Sequence, residues 1–444
     1  MPSVDAVVRL GRLHPDEVFQ SLEPAMRLAF GFGTVAWEWE RGLRNWFVPG
    51  LFAGLLRAAH WVGVDDPWLR RAVLELPQFA LNLAMVLSAF RFAARRIGQA
   101  HARWAIVLLL AWAPWVWFAG RTMGESISAA FLVWGLERLD DESVSEVGAY
   151  GAGVLLGLAE ITRYGSAAFI FPALIFLAVR RRFTTLSPTL LGGLTMAALL
   201  GVLDQLTWGH FFHSLSEYLD FNLLTRGGAS FGRSPIYWYV SQWLVAPLAL
   251  LAVGLFAWRR EARLRSWLFV TVVLVYLAAI SVTEHKELRF AYPALLLSLV
   301  AIAPAVIHFI SRSRLTAAVG LVAVLTTLVL YRIKTPFDVE RGDLFRATVF
   351  AGRGDGSGLL VINEGQYGTG GSFYLGKDVP WCACDEPEQP CFVESLQNPA
   401  VNRALYVVDL ESEARNRRVT STLGSAGFQE TQRVGGIAYF ERRR

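Results

Sequence analysis

Residues 291–310 read AYPALLLSLVAIAPAVIHFI and contain no aspartate, glutamate, lysine or arginine. A helix needs about 20 predominantly apolar residues to cross the hydrocarbon core of a bilayer, so this run predicts a membrane-spanning helix. Other long apolar runs lie on both sides of it along the chain. We therefore expect the bilayer to determine the fold.

The composition of the whole chain points the same way. Its 444 residues are 54% hydrophobic and only 18% charged, whereas soluble domains have about 25% charged residues. The net charge is +5, but the arginines gather between apolar runs, which reports membrane topology rather than nucleic-acid binding. We predict an integral membrane protein in contact with membrane lipid and without a nucleic-acid partner.

About ten runs are apolar and long enough to be spanning helices. They lie near residues 70–93, 103–119, 123–137, 147–163, 166–179, 187–203, 237–257, 265–282, 291–310 and 315–332. A further run, Phe47–Val64, carries Arg57 and His60 in its middle and follows Trp46. Such features are typical of a helix that lies in the membrane interface rather than one that crosses the bilayer.

The distribution of arginine decides between these two interpretations of residues 47–64. If this run does not cross, all four basic loops fall on one side of the membrane, and arginine-rich loops face the cytoplasm. The loops hold Arg95, Arg96 and Arg103; Arg180, Arg181 and Arg182; Arg259, Arg260, Arg263 and Arg265; and Arg312 and Arg314. We therefore predict that residues 47–64 stay in the interface.

The opposite, extracytoplasmic side then receives the loops that are rich in acids, histidine, tryptophan and glycine. These are residues 14–46, 121–125, 163–165, 203–237, 284–289 and everything after about residue 335. Polar residues at the ends of spans are costly unless they are paired or used. We therefore expect the active site on the extracytoplasmic side, in what the arginine- and alanine-rich composition suggests is a bacterial plasma membrane.

Two domains are expected. Residues 1–334 form the transmembrane domain, whose first extracytoplasmic loop, residues 14–69, holds a pair of acids and the interfacial helix. Residues 335–444 form a small soluble extracytoplasmic α/β domain, because glycine-rich turns there separate strand-like runs at Leu359–Ile362, Ala404–Leu410 and Ile437–Phe440. Met1–Leu13 is too short to span the bilayer, but Val7–Leu13 is similar to the tail of an apolar helix. Either the start codon is placed downstream of the true one, which we expect, or the protein does without a span at this point.

All three cysteines lie in the C-terminal domain. Cys382, Cys384 and Cys391 lack the second pair of ligands that a zinc site needs. Outside the cytoplasm a disulfide can form and persist. We predict one disulfide that involves Cys391 and one remaining free thiol, in preference to a metal site.

The acid pair lies in the stretch Leu13–Gln20, which reads LHPDEVFQ. Asp16 and Glu17 belong to no acidic run and have no lysine at i+4. A carboxylate at the membrane boundary can take the proton of a sugar hydroxyl as a general base. The alternative is an ordinary helix start, with Asp16 as the cap and Glu17 favoured by the helix dipole.

Read together, the extracytoplasmic loops resemble a known family. HPDEVFQSLE at residues 14–23 is similar to the opening HPDE-x-FQ-x-x-E of the mannosyltransferases that use lipid-phosphate-linked mannose. EHKELRF at residues 284–290, followed by Pro293, resembles their H-K-E-x-R-F-x-x-P. Further similar segments follow in order: GFG at 31–33, WEW at 37–39, Arg44 with Pro49, Arg121-Thr122 with Glu125, Arg163, Asp204, WG at 208–209, FN at 221–222, FG at 231–232, WY at 238–239 and GGIAYFER at 435–442.

The resemblance is strongest to the GPI-anchor mannosyltransferases of glycosyltransferase family 22, in the GT-C superfamily. It implies an α-helical polytopic membrane protein of the GT-C fold, with about 10–11 transmembrane helices. It also implies an inverting glycosyltransferase that moves mannose from a polyprenyl-phosphate-mannose donor to a glycan or glycolipid acceptor. Ala36 and Tyr164 stand where the family usually has threonine and proline, which leaves the acceptor open.

The chemistry assigns roles to these residues. Asp16 is the expected base, and Glu17 orients acceptor hydroxyls or is itself the base, since two neighbouring carboxylates repel and one pKa can rise. Lys286 and Arg289, with His285 as an additional donor, are expected to bind the departing phosphate. Arg163 and Arg121 are further candidates for the phosphate, and snorkelling to the interface is the alternative for Lys286 and Arg289.

The remaining candidates are assigned to the acceptor or to sugar. They are His14, Gln20, Trp37, Glu38, Asp204, Asn222 and Glu287. For Trp37, as for Trp39, Trp208, Trp238 and Tyr239, the aromatic belt of the membrane interface is the alternative. Asp204 could instead pair with an arginine. His14 and Asp16 alone are a thin metal signal, so we expect no metal and no cofactor besides the donor lipid.

Two rival functions remain open. A GT-C enzyme could use another polyprenyl-phosphate sugar, such as arabinofuranose, and nothing in the sequence separates these donors. A transporter of lipid-linked sugars would place ionisable groups at the bilayer midplane, in broken helices of paired repeats. Here the ionisable groups gather at one face, which favours chemistry. We expect residues 16–17 and 285–289 to act in one lipid-accessible cavity.

Overall fold

The computed structural model describes residues 2–243, 247–334 and 340–442. The first part of the chain, up to residue 334, is almost entirely helical, and the last hundred residues contain a five-stranded sheet. The expected combination of a helical membrane domain with a small C-terminal α/β domain is confirmed.

Sixteen helices lie in the described residues before 335. Their bounds are α1 Pro2–Arg9, α2 Glu23–Phe30, α3 Trp37–Glu40, α4 Phe47–Trp61, α5 Pro67–Ala111, α6 Ala113–Phe118, α7 Gly124–Asp140, α8 Glu146–Thr162, α9 Ala167–Val179, α10 Phe183–Trp208, α11 His213–Leu219, α12 Trp238–Trp243, α13 Leu248–Arg260, α14 Trp267–Val282, α15 Tyr292–Ile310 and α16 Arg314–Lys334. Two short π-helices, Glu17–Leu22 and Asp220–Leu224, and a 3₁₀ turn at Leu288–Ala291 carry several of the candidate site residues.

Among the described residues, four helical stretches are long and apolar enough to cross a membrane: Pro67–Ala111, Phe183–Trp208, Leu288–Ile310 and Arg314–Tyr331. Tyr164–Val179 and Trp267–Val282 are apolar but shorter. The run at residues 47–64 forms the 15-residue helix α4, which is not among the long apolar helices. Part of the span expected at 237–257 lies outside the described residues.

The two spans expected near 70–93 and 103–119 are joined differently from the prediction. No loop separates them; α5 is interrupted only at Gly98, where φ is 75° and ψ is 159°. The second of the two ends at Ala111 and continues as α6 after an extended Trp112, with Pro114 in its first turn. Glycine has no Cβ and so reaches the positive φ that breaks the helix at little cost.

Helices α8 and α10 approach each other closely because both carry glycine at the contact. A Cβ at Gly153 would overlap the carbonyl oxygen of Thr189, and one at Gly192 would overlap that of Tyr150. Small residues allow helix backbones to come together, which is how helices associate in a bilayer.

The C-terminal domain contains the strands β1 Leu359–Ile362, β2 Trp381–Cys384, β3 Arg403–Val407, β4 Phe428–Val434 and β5 Ile437–Arg442, in the order β2-β1-β3-β5-β4. β1 is parallel to both β2 and β3, and β5 is antiparallel to β3 and β4. Four helices accompany them: α17 Gly342–Gly352, α18 Gly371–Leu375, α19 Pro390–Gln397 and α20 Glu413–Ser425. The three strands expected from the sequence correspond to β1, β3 and β5.

Both faces of the central strand are buried. Leu359 and Val361 pack with Leu344 and Leu375 on one face, and Leu360 and Ile362 pack with Phe392 and Leu423 on the other. Because successive side chains of a strand alternate between faces, a strand with helices on both sides is apolar throughout. This explains the uninterrupted LLVI of β1.

The disulfide prediction is confirmed. Cys382 in β2 is bonded to Cys391 in α19, and Cys384 is a buried free thiol.

By its contacts the chain divides into two compact units. The first contains residues 41–47 and the described part of 77–337; the second contains residues 3–40, 48–76 and the described part of 338–444. Most of residues 14–69, the loop that was expected to be the first extracytoplasmic one, therefore share a unit with the C-terminal domain, whereas residues 41–47 belong to the first unit.

Candidate active site

The acid pair lies at the start of a π-helix in the second unit. Asp16 directly precedes the helix Glu17–Leu22, whose first turn is closed by the amides of Val18 and Phe19 donating to the carbonyl of Pro15, at 2.9 and 3.0 Å. A π-helical turn is rare and occurs frequently at functional sites. We name residues 14–22 the acid segment.

Asp16 and Glu17 differ in their surroundings. Glu17 is only 3% exposed, and its Oε1 accepts hydrogen bonds from the amides of Leu13, at 2.5 Å, and His14, at 3.4 Å. The Asp16 side chain is 17% exposed and its Oδ1 lies 3.1 Å from His14 Nδ1. Glu17 therefore shapes the loop, and Asp16 is the more accessible carboxylate of the two.

Some of the predicted acceptor residues are brought together beside the acid segment. Gln20 Nε2 donates to Glu38 Oε1 at 2.8 Å, and Trp39 Nε1 donates to the carbonyl of Phe19 at 3.2 Å. Trp37 is half-buried. The WEW segment thus packs on the helix that follows the acids, which explains why the two motifs occur together in the sequence.

A buried ion pair near the acid segment is not apparent from the sequence motifs. Arg71 Nη2 lies 2.5 Å from Glu75 Oε1, both side chains are almost fully buried, and Arg71 is within electrostatic reach of Glu17 and Tyr374. The only signal in the sequence is the i,i+4 spacing of opposite charges at the start of a span.

Two of the phosphate candidates, Arg163 and Arg289, meet at Glu125 in the first unit. Glu125, buried in the first turn of α7, forms ion pairs with Arg163 and, at 3.5 Å, with Arg289 Nη1. Both guanidinium groups also lie over the ring of Phe290, at 5.1 and 5.0 Å from its centroid. We name Glu125, Arg163, Glu287, Arg289 and Phe290 the cation cluster.

Glu287 orients this cluster through two neighbours. Its Oε2 accepts from Arg289 Nε at 2.5 Å, and its Oε1 lies 2.8 Å from His285 Nε2. The backbone carbonyls of Glu287 and Phe290 accept from the hydroxyls of Tyr239, at 3.2 Å, and Tyr276, at 2.6 Å. The arrangement holds two planar, permanently charged groups in a buried setting, which suits binding of a phosphate.

Lys286 differs from its neighbours. Its ammonium donates to the carbonyls of Ser234, at 3.0 Å, and Thr283. Burial lowers the pKa of Lys286, and the nearby carboxylate of Glu284 opposes that shift. In this arrangement Lys286 ties the loop before α12 to the 284–290 segment.

Three further candidates have mainly structural neighbours. Asp204 is fully buried, and its Oδ2 accepts from the amide and hydroxyl of Ser214, at 2.9 and 2.6 Å. Asn222 is exposed and donates to the carbonyl of Tyr218 at 2.9 Å. Arg121 is buried just before α7. The sequence placed Asp204 and Asn222 in one loop, whereas Asp204 lies in the last turns of α10 and Asn222 lies in the π-helix Asp220–Leu224. The roles of all three residues stay predictions.

In the described residues no group of three or more histidines, cysteines, aspartates or glutamates is arranged to hold a metal ion. The second unit has a cavity of about 320 Å³ beside α2, the helix that follows the acid segment. It is lined by Arg27, Gly31, Phe32, Gly33, Thr34, Ser372, Lys377, Asp378, Val379 and Trp381. An indole, two cations and a carboxylate at one cavity suit a polar, hydroxyl-rich ligand.

Comparison with solved structures shows the class of fold. The chain is similar to crystal structures of ArnT from Cupriavidus metallidurans in the apo state, with a TM-score of 0.62, 12% identity and coverage of 98% of this chain and 95% of that one. It is also similar to the structure of that protein bound to undecaprenyl phosphate, with a TM-score of 0.57, 12% identity and coverage of 99% and 96%. The expected GT-C fold is confirmed.

The sequence comparisons show the family. The profile of the Alg9-like mannosyltransferase family matches residues 4–337, so the chain belongs to that family. GPI mannosyltransferase 3 of Drosophila melanogaster is 29% identical over 315 residues, which cover 68% of this chain and 54% of the relative. GPI mannosyltransferase 3 of Yarrowia lipolytica is 30% identical over 288 residues, which cover 63% and 55%. The chain thus spans about half the length of the curated relatives it matches.

The expected family is therefore confirmed. The acid segment and the cation cluster belong to different compact units, and the expectation that residues 16–17 and 285–289 act in one cavity stays a prediction. Sequence reasoning did not give Glu125 or the Arg71–Glu75 pair a role.

Proposed function

We propose that this protein is an inverting mannosyltransferase that moves mannose from a polyprenyl-phosphate-mannose donor to a glycan or glycolipid acceptor. The observation that carries the proposal is the cation cluster: half-buried Arg163 and buried Arg289, both paired with Glu125, in a chain of a mannosyltransferase family. A phosphate leaving group gains charge as its bond to the sugar breaks. Preorganised cations aimed at that charge are usually the largest electrostatic contribution to such a step.

The reaction is a single in-line displacement at the anomeric carbon of mannose. The acceptor oxygen forms a bond to that carbon while its proton passes to Asp16, and the bond from the carbon to the phosphate oxygen breaks. The electron pair of that bond goes to the polyprenyl phosphate, whose negative charge Arg163 and Arg289 stabilise. Glu17 holds the loop that presents Asp16, through its hydrogen bonds to Leu13 and His14.

The remaining candidate residues bind a substrate or hold the loops around it. His285 adds a donor beside Arg289, whereas Lys286 and Arg121 support the loops around the phosphate. The acceptor glycan contacts His14, Gln20, Trp37 and Glu38, and the cavity lined by Trp381 receives its distal sugars. Asp204, Asn222 and Glu287 position these loops.

The reaction needs no metal in this proposal, since two guanidinium groups already meet the leaving phosphate. The active site and the C-terminal domain lie on the extracytoplasmic side of a bacterial plasma membrane. The arginine distribution supports this orientation. The disulfide between Cys382 and Cys391 supports it as well, because disulfides persist in oxidising compartments.

A transfer assay tests the function. Purified protein in lipid vesicles is incubated with radiolabelled undecaprenyl-phosphate-mannose and a membrane extract, with and without EDTA. The product is identified by mass spectrometry and its anomeric configuration by NMR. We expect a mannosylated acceptor of inverted anomeric configuration and the same rate after chelation. If sugar is transferred only from undecaprenyl-phosphate-arabinofuranose, the donor is arabinofuranose and not mannose. If the protein moves the lipid across the vesicle membrane without transferring sugar, it is a transporter and not an enzyme.

A further inference from the structure

Glu23 is a buried carboxylate that the mechanism above does not use. It is the first residue of α2 and directly follows the acid segment, with an exposed fraction of 0%. Burying a charged group without partners is very costly, so its contacts are expected to be specific.

Its two carboxylate oxygens join segments that are far apart in the sequence. Oε2 accepts from the amide of Thr34 at 2.5 Å, and Oε1 accepts from the amide of Phe373 in α18 at 2.6 Å. Burial raises the pKa of Glu23, while the amides of Thr34, Phe373 and Ser372 favour its charged form. The carboxylate thus connects the acid segment to the C-terminal domain by hydrogen bonds on both sides.

Gly371 makes this approach possible. Its φ is 63°, and a Cβ there would lie 2.6 Å from Glu23 Oε1. Only glycine satisfies both the backbone conformation and the space that the carboxylate occupies.

Other contacts join the same two segments. Arg12 and Glu340 exchange backbone hydrogen bonds of 3.1 and 2.9 Å, just before the acid segment and just before α17. Within the acid segment, Phe19 packs edge-on against Tyr367, with ring centroids 5.0 Å apart. Among these contacts, the hydrogen bonds of Glu23 are the ones in which a charged group takes part, and such bonds are about twice as strong as those between neutral groups.

We infer that Glu23 is a positioning residue for sugar transfer: its carboxylate fastens the segment that carries Asp16 to helix α18, so that the C-terminal domain fixes the place of the catalytic base. The inference rests on the proposed function. Displacing a catalytic group by about 1 Å can cost on the order of 100-fold in rate. The C-terminal domain is therefore needed for turnover even though it supplies no atom to the reaction.

Kinetics of full-length variants test the inference. Transfer is measured from radiolabelled undecaprenyl-phosphate-mannose to octyl α-mannopyranoside for Glu23→Gln, Gly371→Ala and the control Gly427→Ala. Gly427 lies in the same domain with φ 86°, but a Cβ there would meet nothing closer than Arg442 Cγ at 3.9 Å. We expect kcat to fall about 10- to 100-fold in the first two variants with the donor KM within about twofold, and the control to stay within about twofold of wild type.

Hydrogen exchange supplies a readout that does not depend on activity. In Glu23→Gln and Gly371→Ala, peptides from residues 14–22 should exchange faster, while the amides of β3, Arg403–Val407, keep their wild-type protection. Unchanged kcat in both variants, or faster exchange throughout β3 as well, would overturn the positioning role. If the wild-type protein transfers no mannose, the proposed function is wrong. The hydrogen-exchange data would still show whether Glu23 holds the acid segment in place.

Discussion

At the scale of single residues, the adjacent carboxylates of Asp16 and Glu17 differ in their hydrogen bonds and in their exposure. Glu17 accepts from two amides of its own loop, whereas Asp16 is the more exposed and lies beside His14. The sequence could single out both acids as candidates, because the motif is local. It could not distinguish them, because their difference arises from how the loop folds back on Glu17.

The two arginines of the cation cluster depend on one counter-charge. Glu125 pairs with both Arg163 and Arg289 and is almost completely buried. Removing one partner of a buried ion pair leaves an uncompensated charge and costs about 3–5 kcal/mol. We expect Glu125→Gln to lower the unfolding temperature in detergent markedly and to raise the donor KM.

The control for that variant is Glu413→Gln, at an exposed pair with Arg417 on α20, where the ion pair contributes little. Its unfolding temperature should equal that of wild type within about a degree. If Glu125→Gln unfolds at the temperature of wild type and of this control, the account of the cation cluster is wrong.

At the scale of elements, apolar length predicted most of the helices before residue 335, and strand-like runs between glycine-rich turns predicted three of the strands. The observed helix boundaries differ from the predicted ones where a single residue changes the backbone direction. At Gly98, one residue with positive φ separates two helical stretches between which a loop was expected. The close approach of α8 to α10 was not predicted, because glycines in an apolar run give no periodic signal that names a partner helix.

Two neighbouring glycines of α10 allow a matched test of that packing. A Cβ at Gly192 would overlap the backbone of α8, whereas a Cβ at Gly193 would meet nothing within 4 Å. We expect Gly192→Ala to reduce the free energy of unfolding by about 1–3 kcal/mol through overpacking. Gly193→Ala should be neutral or stabilise by up to about 1 kcal/mol, since alanine favours helix.

Thermal unfolding of both variants in the same detergent measures the difference. Equal unfolding temperatures would show that α8 and α10 do not pack through these glycines.

At the scale of the whole molecule, the sequence predicted the family and the fold class from motifs spread along the chain. It did not predict that residues 3–40 and 48–76 share a compact unit with the C-terminal domain. That grouping depends on contacts such as Glu23 to Phe373, whose partners are 350 residues apart. Such long-range pairs leave no local pattern in a single sequence, so the role of Glu23 needed the structure.

The proposed orientation predicts which side of the membrane each unit faces. Leu410 in the C-terminal domain is 92% exposed, and Arg180 is exposed in a loop expected to be cytoplasmic. The native cysteines should not react with a maleimide, because Cys382 and Cys391 are disulfide-bonded and burial raises the pKa of the Cys384 thiol to about 12. In intact cells, an impermeant maleimide should label Leu410→Cys but not Arg180→Cys.

Inverted membrane vesicles provide the reciprocal control, in which only Arg180→Cys should react. Labelling of Arg180→Cys in intact cells would reverse the orientation and place the transfer reaction in the cytoplasm.

The central claim is that a single carboxylate of the acid segment removes the acceptor proton. The most direct measurement is the kcat of Asp16→Asn at saturating donor and acceptor, in protein whose unfolding temperature matches that of wild type. The account predicts a fall of about 10²- to 10⁴-fold, the usual contribution of a general base. Wild-type turnover by the folded Asp16→Asn protein would contradict it.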